Sequence, residues 1–543
     1  MFDLPELDDL IIRQLNRHDL AQCARVCRSW HRIVVPQLWS SLDIPHFRHE
    51  AFRNLVLESY VHEQRFQERE AERYGTEQHT QASVIPLLPL AKYGHWIRHL
   101  PWPDTLWTIL KSPYALTPLQ KGINGAYEEL TVYDLMRHLY KHCPALQVPI
   151  LHLISRNVAM EDYFKTIVEH LIPRVRRLHL YGKNRLESWK LMHLLYGASM
   201  LESLDLEVSV LYDGDEREQE EEQKETKPWK LKELRLLRCD DSSESKLFWS
   251  WLWKRCGQVE ELRLEWAHQI LQSLVEGIQM HMPKLDKLIM LECYLPDDDT
   301  AALLSSSHHG WKEISLCNPG ANGGPATEAL MQQCPVLEKL VVDRCDHFSS
   351  HDAVQVLASS PNLHTFLDVT ERMFRTTRIN ATLFADRDLN SGSLRAWYCE
   401  GSLTTLRVRI TGVPRPDLEK CQVQERYLGE GRGIQSQVYE RLARLTRLES
   451  LWLGNTPCLV DQFDCLDMSL ESGLYKLSGL KSLKELGLIS MVLKIGVKEV
   501  QWMADSWPQL RAISIAWRGY NSSYEETMRW LQQNHPKIEL KYM

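Results

Sequence analysis

The 543-residue chain contains no run of 18 or more apolar residues, so no stretch of it is suited to spanning a bilayer as a helix. Its 13 cysteines include no Cys-x-x-Cys pair; Cys23 and Cys27 lie one helical turn apart, and most of the others are tens of residues distant. That scatter speaks against a zinc ribbon or a disulfide framework and for buried, reduced thiols. Basic charge is not in excess, since 64 Lys and Arg against 72 Asp and Glu leave a net charge of −8. General nucleic-acid binding needs a basic stripe that displaces counterions, so no nucleic-acid partner is expected. The first residues, MFDLPELDD, are acidic where a secretory leader carries Lys or Arg, and a cytoplasmic or nuclear location is expected. Catalytic signatures are missing too: there is no HExxH, no GxSxG, no Walker sequence and no kinase set. Gly429, Gly431 and Gly433 have the wrong spacing to cradle a dinucleotide and read as a flexible loop, and Gly320 to Gly324 read as a turn. His308 and His309 sit in a Ser-rich loop without a matching acid or cysteine, so they read as surface histidines. The chain is therefore expected to be no enzyme, with no metal ligands and no cofactor.

What is present is a globular composition, 44% hydrophobic and 25% charged, with 18 tryptophans that call for a large buried area. In residues 1–45, Leu7, Leu10, Ile11 and Leu15 recur at helical spacing. Asp19 looks like the N-cap of a second helix along which Leu20, Cys23, Ala24, Cys27, Trp30, His31 and Val34 follow the i, i+3, i+4, i+7 rule until Pro36 stops it. So small a unit buries too little to be very stable alone and needs a partner or the following domain. Residues 46–92 read as a helical connector: Arg48 to Arg73 is charged, with Phe52, Leu55, Val56, Tyr60 and Phe66 on one stripe, and a break follows near Gly75 to Ser83.

From residue 93 to 543 the chain repeats. Its unit is apolar, two of any kind, apolar, one of any kind, apolar, two of any kind, then a small residue. Leu231, Leu234, Leu236 and Cys239 fit it, as do Leu285, Leu288, Met290 and Cys293, and Leu337, Leu340, Val342 and Cys345. The middle positions run Leu178, Leu204, Leu234, Leu262, Leu288, Ile314, Leu340 and Phe366, in steps of 26, 30, 28, 26, 26, 26 and 26. The phase continues through Leu406, Leu451, Leu486 and Ile513 in steps of 40, 45, 35 and 27, the longer ones carrying inserts such as TGVPRPD and LGEGRG. Weaker matches precede it at Leu146 with Leu151 and at Ile97 with Leu100. An acidic insert, residues 213–227, holds eight acids and three bases and reads as a solvated bulge that folding could spare. Period and pattern identify leucine-rich repeats, each a short strand and a return helix that buries its apolar face only by stacking on its neighbours. The expected fold is α/β: a small helical domain followed by a curved solenoid of strand–helix repeats of about 26 residues.

Two details follow from that phase. Ser349 and Asp352 have the spacing of a capping box on one return helix. Trp249, Trp251 and Trp253 in FWSWLWK read as core filling in another. Residues between the inward positions of each strand should face the concave side. These are first mixed in charge, Asp205, Glu207, Arg235, Glu261, Arg263 and Glu265. They then turn apolar at Ile289, Leu291, Val341, Leu367 and Val369, and Arg407, Arg409 and Trp452 follow. Apolar residues in a row rimmed by charge are the anatomy of a protein-binding site, so these eight from Ile289 onward are the candidate substrate-binding set.

The segment LPELDDLIIRQLNRHDLAQCARVCRSWHRIVVPQLWSSL resembles an F-box. The resemblance rests on Leu4-Pro5, Ile11, Asp19-Leu20, the Val26-Cys27-Arg28-x-Trp30 block and the closing Leu38-Trp39. An F-box followed by leucine-rich repeats is similar to the substrate receptors of SCF ubiquitin ligases. VPRPDL, LTRLESLWLG and LESGLYKLSGLKSL also resemble fungal proteins of this kind. The resemblance implies a Skp-type adaptor, and through it a cullin, on Leu4, Pro5, Leu7, Ile11, Leu20, Val26, Cys27 and Trp30, and a substrate protein on the repeats. The alternative is an interaction scaffold with no role in a ubiquitin ligase.

Overall fold

Each repeat carries two apolar residues on a short strand, and neither can leave water until the next strand is laid beside it. The computed structural model shows this arrangement. The structure describes residues 14–15, 17–26, 28–40, 55–64, 94–97, 132–143, 150–152, 168, 172–211, 229–238, 246–267, 272–317, 324–343, 345, 348–368, 378–388, 390–413, 425–453, 466–488, 495–515 and 522–542. The chain divides into two units, Met1–Leu234 with Ser242–Cys256, and Arg235–Asp241 with Gly257–Met543.

Among the described residues, the first named helices of the first unit are α1 (Arg17–Val26) and α2 (Arg28–Ser40). Leu20 and Val34 form their shared core, and Leu15, Cys23, Ala24, Trp30 and Leu38 pack around it. The apolar spacing predicts one helix capped at Asp19 and stopped by Pro36; the structure corrects this. In one straight helix Leu20 and Val34 would lie roughly 21 Å apart, so joining them in one cluster requires the break between Val26 and Arg28. Asp19 falls in the first turn of α1, and Pro36 lies inside α2. That proline forfeits one helical bond, a loss offset by the burial of Val34 and Val35 beside it.

Helix α3 (residues 55–64) follows, burying Val56, Leu57 and Ser59, and then α4 (Val132–His142), burying Leu135, His138, Leu139 and Tyr140. Next come β1 (Ile150–His152), β2 (Arg177–Glu187), α5 (Ser188–Tyr196), β3 (Ser203–Leu211), β4 (Glu233–Leu237), whose residues from Arg235 on belong to the second unit, and α6 (Lys246–Trp253). β1, β2 and β3 are parallel, with Leu178 opposite Leu204 as the period requires. Leu151 pairs in register with Leu180, while Ile97 is buried just after the single turn Gly94–Trp96 and not in a strand. The expected tryptophan core is present. Trp249, Trp251 and Trp253 are all buried in α6, Trp249 stacks on Trp253, and Trp229 meets Trp251 edge-on. The buried Arg255 guanidinium lies 3.9 Å from the Trp251 ring and donates to its own helix at Trp251 O.

In the second unit β5 (Glu261–Glu265), α7 (Gln272–His281), β6 (Lys287–Leu291), α8 (Asp297–Leu304), β7 (Glu313–Cys317), α9 (Gly324–Gln333), β8 (Lys339–Asp343), α10 (Ser350–Ser359) and β9 (Thr365–Asp368) alternate strictly. The regularity loosens through β10 (Arg378–Asn380), α11 (Ala381–Ala385), β11 (Thr405–Thr411), α12 (Glu425–Arg444), β12 (Ser450–Leu453) and β13 (Glu485–Gly487). It ends with α13 (Val497–Ser506), β14 (Ala512–Ile515), α14 (Ser522–Asn534) and β15 (Glu539–Tyr542). All strand pairs here are parallel, and Leu262, Leu288, Ile314, Leu340, Phe366, Leu406, Leu451, Leu486 and Ile513 stand opposite one another in succession. Each of these is buried. A repeating clasp sets the register: the N–H groups of Lys312 and Glu313 both donate to Asp286 O, those of Glu338 and Lys339 to Lys312 O, and so on to Arg511 and Ala512, which donate to Lys484 O at β14. The cysteine closing a repeat is packed beneath its turn, where Cys293 Sγ donates to Leu264 O and Cys345 Sγ to Leu316 O. The class is α/β, a small helical domain followed by leucine-rich repeats. Among the described residues no helix is long and apolar enough to cross a membrane.

One further reading is corrected. Gly429, Gly431 and Gly433 do not form a loop but lie in the first half of the 20-residue helix α12. Glycine costs a helix roughly 1 kcal/mol each, and the second half outweighs this. Val438, Tyr439 and Leu442 are buried there, and the buried Arg441 guanidinium bonds Glu400 Oε1 at 2.7 Å and the Ala385 and Asp386 carbonyls.

Candidate functional site

Parallel strands with an inward period of two present their remaining side chains as straight rows. The first row of the second unit is an alternating charge ladder, Glu261, Lys287, Glu313 and Lys339. Glu313 bridges Lys287 at 3.0 Å and Lys339 at 3.6 Å. The second row runs Arg263, Ile289, Ser315, Val341, Leu367, Arg407, Trp452 and Gly487. The third begins with Glu265, Leu291, Cys317 and Asp343.

The structure thus brings Ile289, Val341, Leu367, Arg407 and Trp452 into one row, with Leu291 in the next. All six are half-buried. Arg409 is half-buried too, opposite Arg378 of β10, while Val369 lies outside the described residues. Sequence reasoning passed over Ser315, Cys317 and Asp343, which the repeat phase places on the same rows.

At each end of the apolar stretch the chemistry is polar. Glu265 is buried between two guanidinium groups, with Arg235 Nη2 at 2.7 Å and Arg263 Nε at 2.5 Å. Burial pushes its carboxyl up, but the Arg235 hydrogen bond and the charges of Arg263 and Arg235 prevail, holding it below the usual range. At the other end Arg407 sits 4.8 Å from the Trp452 ring, whose Nε1 donates to Ser450 Oγ. A Cβ at Gly487 would collide with that ring, so the indole lies flat across a glycine of the next strand. In the first unit Asp205 and Glu207 flank His179, each at 3.9 Å.

A second cluster lies in the first unit, where sequence reading anticipated none. Helix α4 presents His138 and His142, one turn apart, to Glu63 of α3. Glu63 Oε2 is 3.2 Å from His138 Nδ1 and 2.7 Å from His142 Nε2, and Lys141 holds the other oxygen, Oε1. Ser59 Oγ is 2.9 Å from His138 Nε2, and the two imidazoles are 4.5 Å apart. Burial raises the Glu63 carboxyl, but hydrogen bonds from Lys141 and His142 bring it net below its ordinary value; burial first and the His142 charge second lower His138 to about 4. The signal available in the sequence was the i, i+4 histidine pair; its carboxylate partner is 75 residues earlier.

On helices α1 and α2, Leu20 is buried and Trp30 is half-buried against the same cluster, whereas Val26 and Ile33 expose apolar surface, Val26 to 72%. Leu4, Pro5, Leu7, Ile11 and Cys27 lie outside the described residues. This stretch matches the family model named F-box-like over residues 6–45. Residues 6–45 are an F-box-like domain. No curated protein matches the chain. Among solved structures it is similar to one titled "Crystal structure of Rad7 and Elc1 complex in yeast", with 12% identity and a TM-score of 0.35 over 73% of this chain and 78% of that one. Within the F-box-like domain, then, Leu20 and Trp30 hold the helices together, and Val26 is left facing outward.

Proposed function

We propose that the protein is a non-catalytic substrate-recognition subunit of an SCF-type E3 ubiquitin ligase. In this reading the F-box-like domain binds a Skp-type adaptor, and through it a cullin, while the outward rows of the repeats bind the substrate protein. The observation that carries it is an F-box-like domain at residues 6–45 ahead of strand–helix repeats whose second row holds a largely apolar stretch, Ile289 to Leu367, flanked by Arg263 and Arg407. Exposed Val26 and Ile33 on α1 and α2 support a docked partner, because removing their apolar surface from water is favourable. Leu4, Pro5, Leu7, Ile11 and Cys27 complete the proposed adaptor contact, and Leu20 and Trp30 support it from beneath.

Co-expression with a Skp-type adaptor should yield a stable one-to-one complex on size-exclusion chromatography. Replacing Leu4 and Pro5 together, or Val26 with Asp, should weaken it, and Trp30→Ala should do so by loosening the α1–α2 core. A chain that elutes as a well-behaved monomer and ignores the adaptor would sink the ligase reading and leave an interaction scaffold.

A further inference from the structure

Three donors from two helices converge in the first unit without forming part of either proposed protein-binding surface. In α4 the i, i+4 spacing puts the His138 and His142 rings on one helical face, and α3 directs Glu63 Oε2 between them. All three ligating atoms lie within 4.8 Å of one another. Tetrahedral zinc with bonds of about 2.0–2.1 Å holds its ligands roughly 3.3–3.4 Å apart. The 3.2 Å and 2.7 Å separations at Glu63 Oε2 are within tenths of an ångström of that spacing, and the edge between the two imidazole nitrogens lies within 4.8 Å. We propose that Glu63 Oε2, His138 Nδ1 and His142 Nε2 bind a single zinc-class divalent cation that staples α3 to α4.

The surroundings are those of a metal site. Ser59 Oγ can accept from His138 Nε2, which fixes the tautomer that turns the Nδ1 lone pair toward the ion; ligand histidines are usually oriented in this way. Lys141 is bound at Glu63 Oε1, and Oε2 is the oxygen that faces both imidazoles. Two imidazoles with one carboxylate suit zinc, cobalt or nickel, whereas calcium and magnesium prefer all-oxygen sets. Three protein donors leave a fourth position for water or an outside ligand. Because the ligands are 75 residues apart in sequence, the ion would tie the helix behind the F-box-like domain to a later segment, and its binding energy would stabilise that pairing.

The test uses the full-length chain, stripped with a chelator and titrated with Zn²⁺ by calorimetry and with Co²⁺ by visible absorption. One tight equivalent is expected, with Co²⁺ bands of a low-coordinate nitrogen–oxygen site and a higher melting temperature in the loaded protein. Glu63→Gln or His142→Gln should weaken binding at least roughly tenfold, and Ser59→Ala by about ten- to a hundredfold, as for the loss of an orienting partner. Lys141→Met should keep the tight equivalent, since the lysine is no ligand, and His308→Asn should not alter it. If the wild-type chain shows no such Co²⁺ bands, or binds Zn²⁺ no more tightly than Glu63→Gln, the cluster is a salt-bridge network and the proposal fails. Neither readout involves the adaptor, so the result is separate from that of the ligase reading.

Discussion

Glu265 shows how a single buried carboxylate can be stabilised by the strand lattice around it. Strand alternation puts Arg263 two residues earlier on its own side, and Arg235 reaches it from β4. Its carboxyl is held below the ordinary value of 4.5, so its pairing contributes fully above that pH and is lost as pH falls through the lower folded value. Melting temperature should therefore drop on acidification through and below that range, and Glu265→Gln should flatten that part of the profile while lowering stability at neutral pH. An unchanged acid limb in the variant would show that other carboxylates dominate. Gly487 matters for the opposite reason, since its lack of a side chain is what lets the Trp452 ring lie across β13. Gly487→Val should displace the ring, cost about 1–3 kcal/mol in denaturant melts and disturb the Arg407–Trp452 stack, whereas Trp452→Ala should open the site with less strain. The acid and its arginines were legible because alternation alone puts them on one face. The glycine was not, for a residue without a side chain leaves no mark on a hydrophobic pattern, even where the repeat phase already pairs Leu451 with Leu486.

Elements were legible wherever local chemistry decided them. Ser349 and Asp352 form the anticipated capping box, with Asp352 N donating to Ser349 Oγ at 3.2 Å and Ser349 N to Asp352 Oδ2 at 2.8 Å. Misreadings arose where tertiary packing overrode propensity. The glycines of α12 are carried by the anchoring of Arg441, and Pro36 of α2 by the valines beside it. The acidic insert needs the same treatment. β3 ends at Leu211 and β4 starts at Glu233, whose N–H donates to Glu202 O just ahead of Ser203, so the chain must travel back along the whole of β3. A nine-residue strand is roughly 26–30 Å long, and the few residues left after removing 213–227 would span at most about 24 Å. Outright deletion should therefore destabilise the first unit. A neutral Ser/Gln replacement of equal length should leave the melting temperature within a degree or two, because the eight acids are not needed for folding. If the replacement melts as early as the deletion, the acidic side chains themselves make stabilising contacts.

For the whole molecule, the constant step of 26 residues made the repeat class legible, because a solenoid repeats its contacts at the period of its sequence. What could not be read was contact between segments with no shared period. Glu63 meets His138 and His142 only because α3 and α4 pack together, and nothing in either segment announces the other. The same separation bears on function, since the proposed adaptor and substrate surfaces lie in different units, on residues 6–45 and on rows from Ile289 to Trp452. If both proposals hold, the two activities should be separable by mutation. Val341→Glu and Leu367→Asp place a charge in the apolar part of the second row, at half-buried positions flanked by Ser315 and Arg407. The inward Leu340 and Phe366 remain untouched beneath them, so the core loses nothing. These variants should keep the adaptor complex and their melting temperature within a few degrees, yet fail to retain the proteins that wild type enriches in affinity purification with mass spectrometry. Val26→Asp should do the reverse, keeping the enriched proteins and losing the adaptor. Should Val341→Glu or Leu367→Asp aggregate or melt early, these side chains are covered by other parts of the chain, and the substrate must be read elsewhere on the repeats.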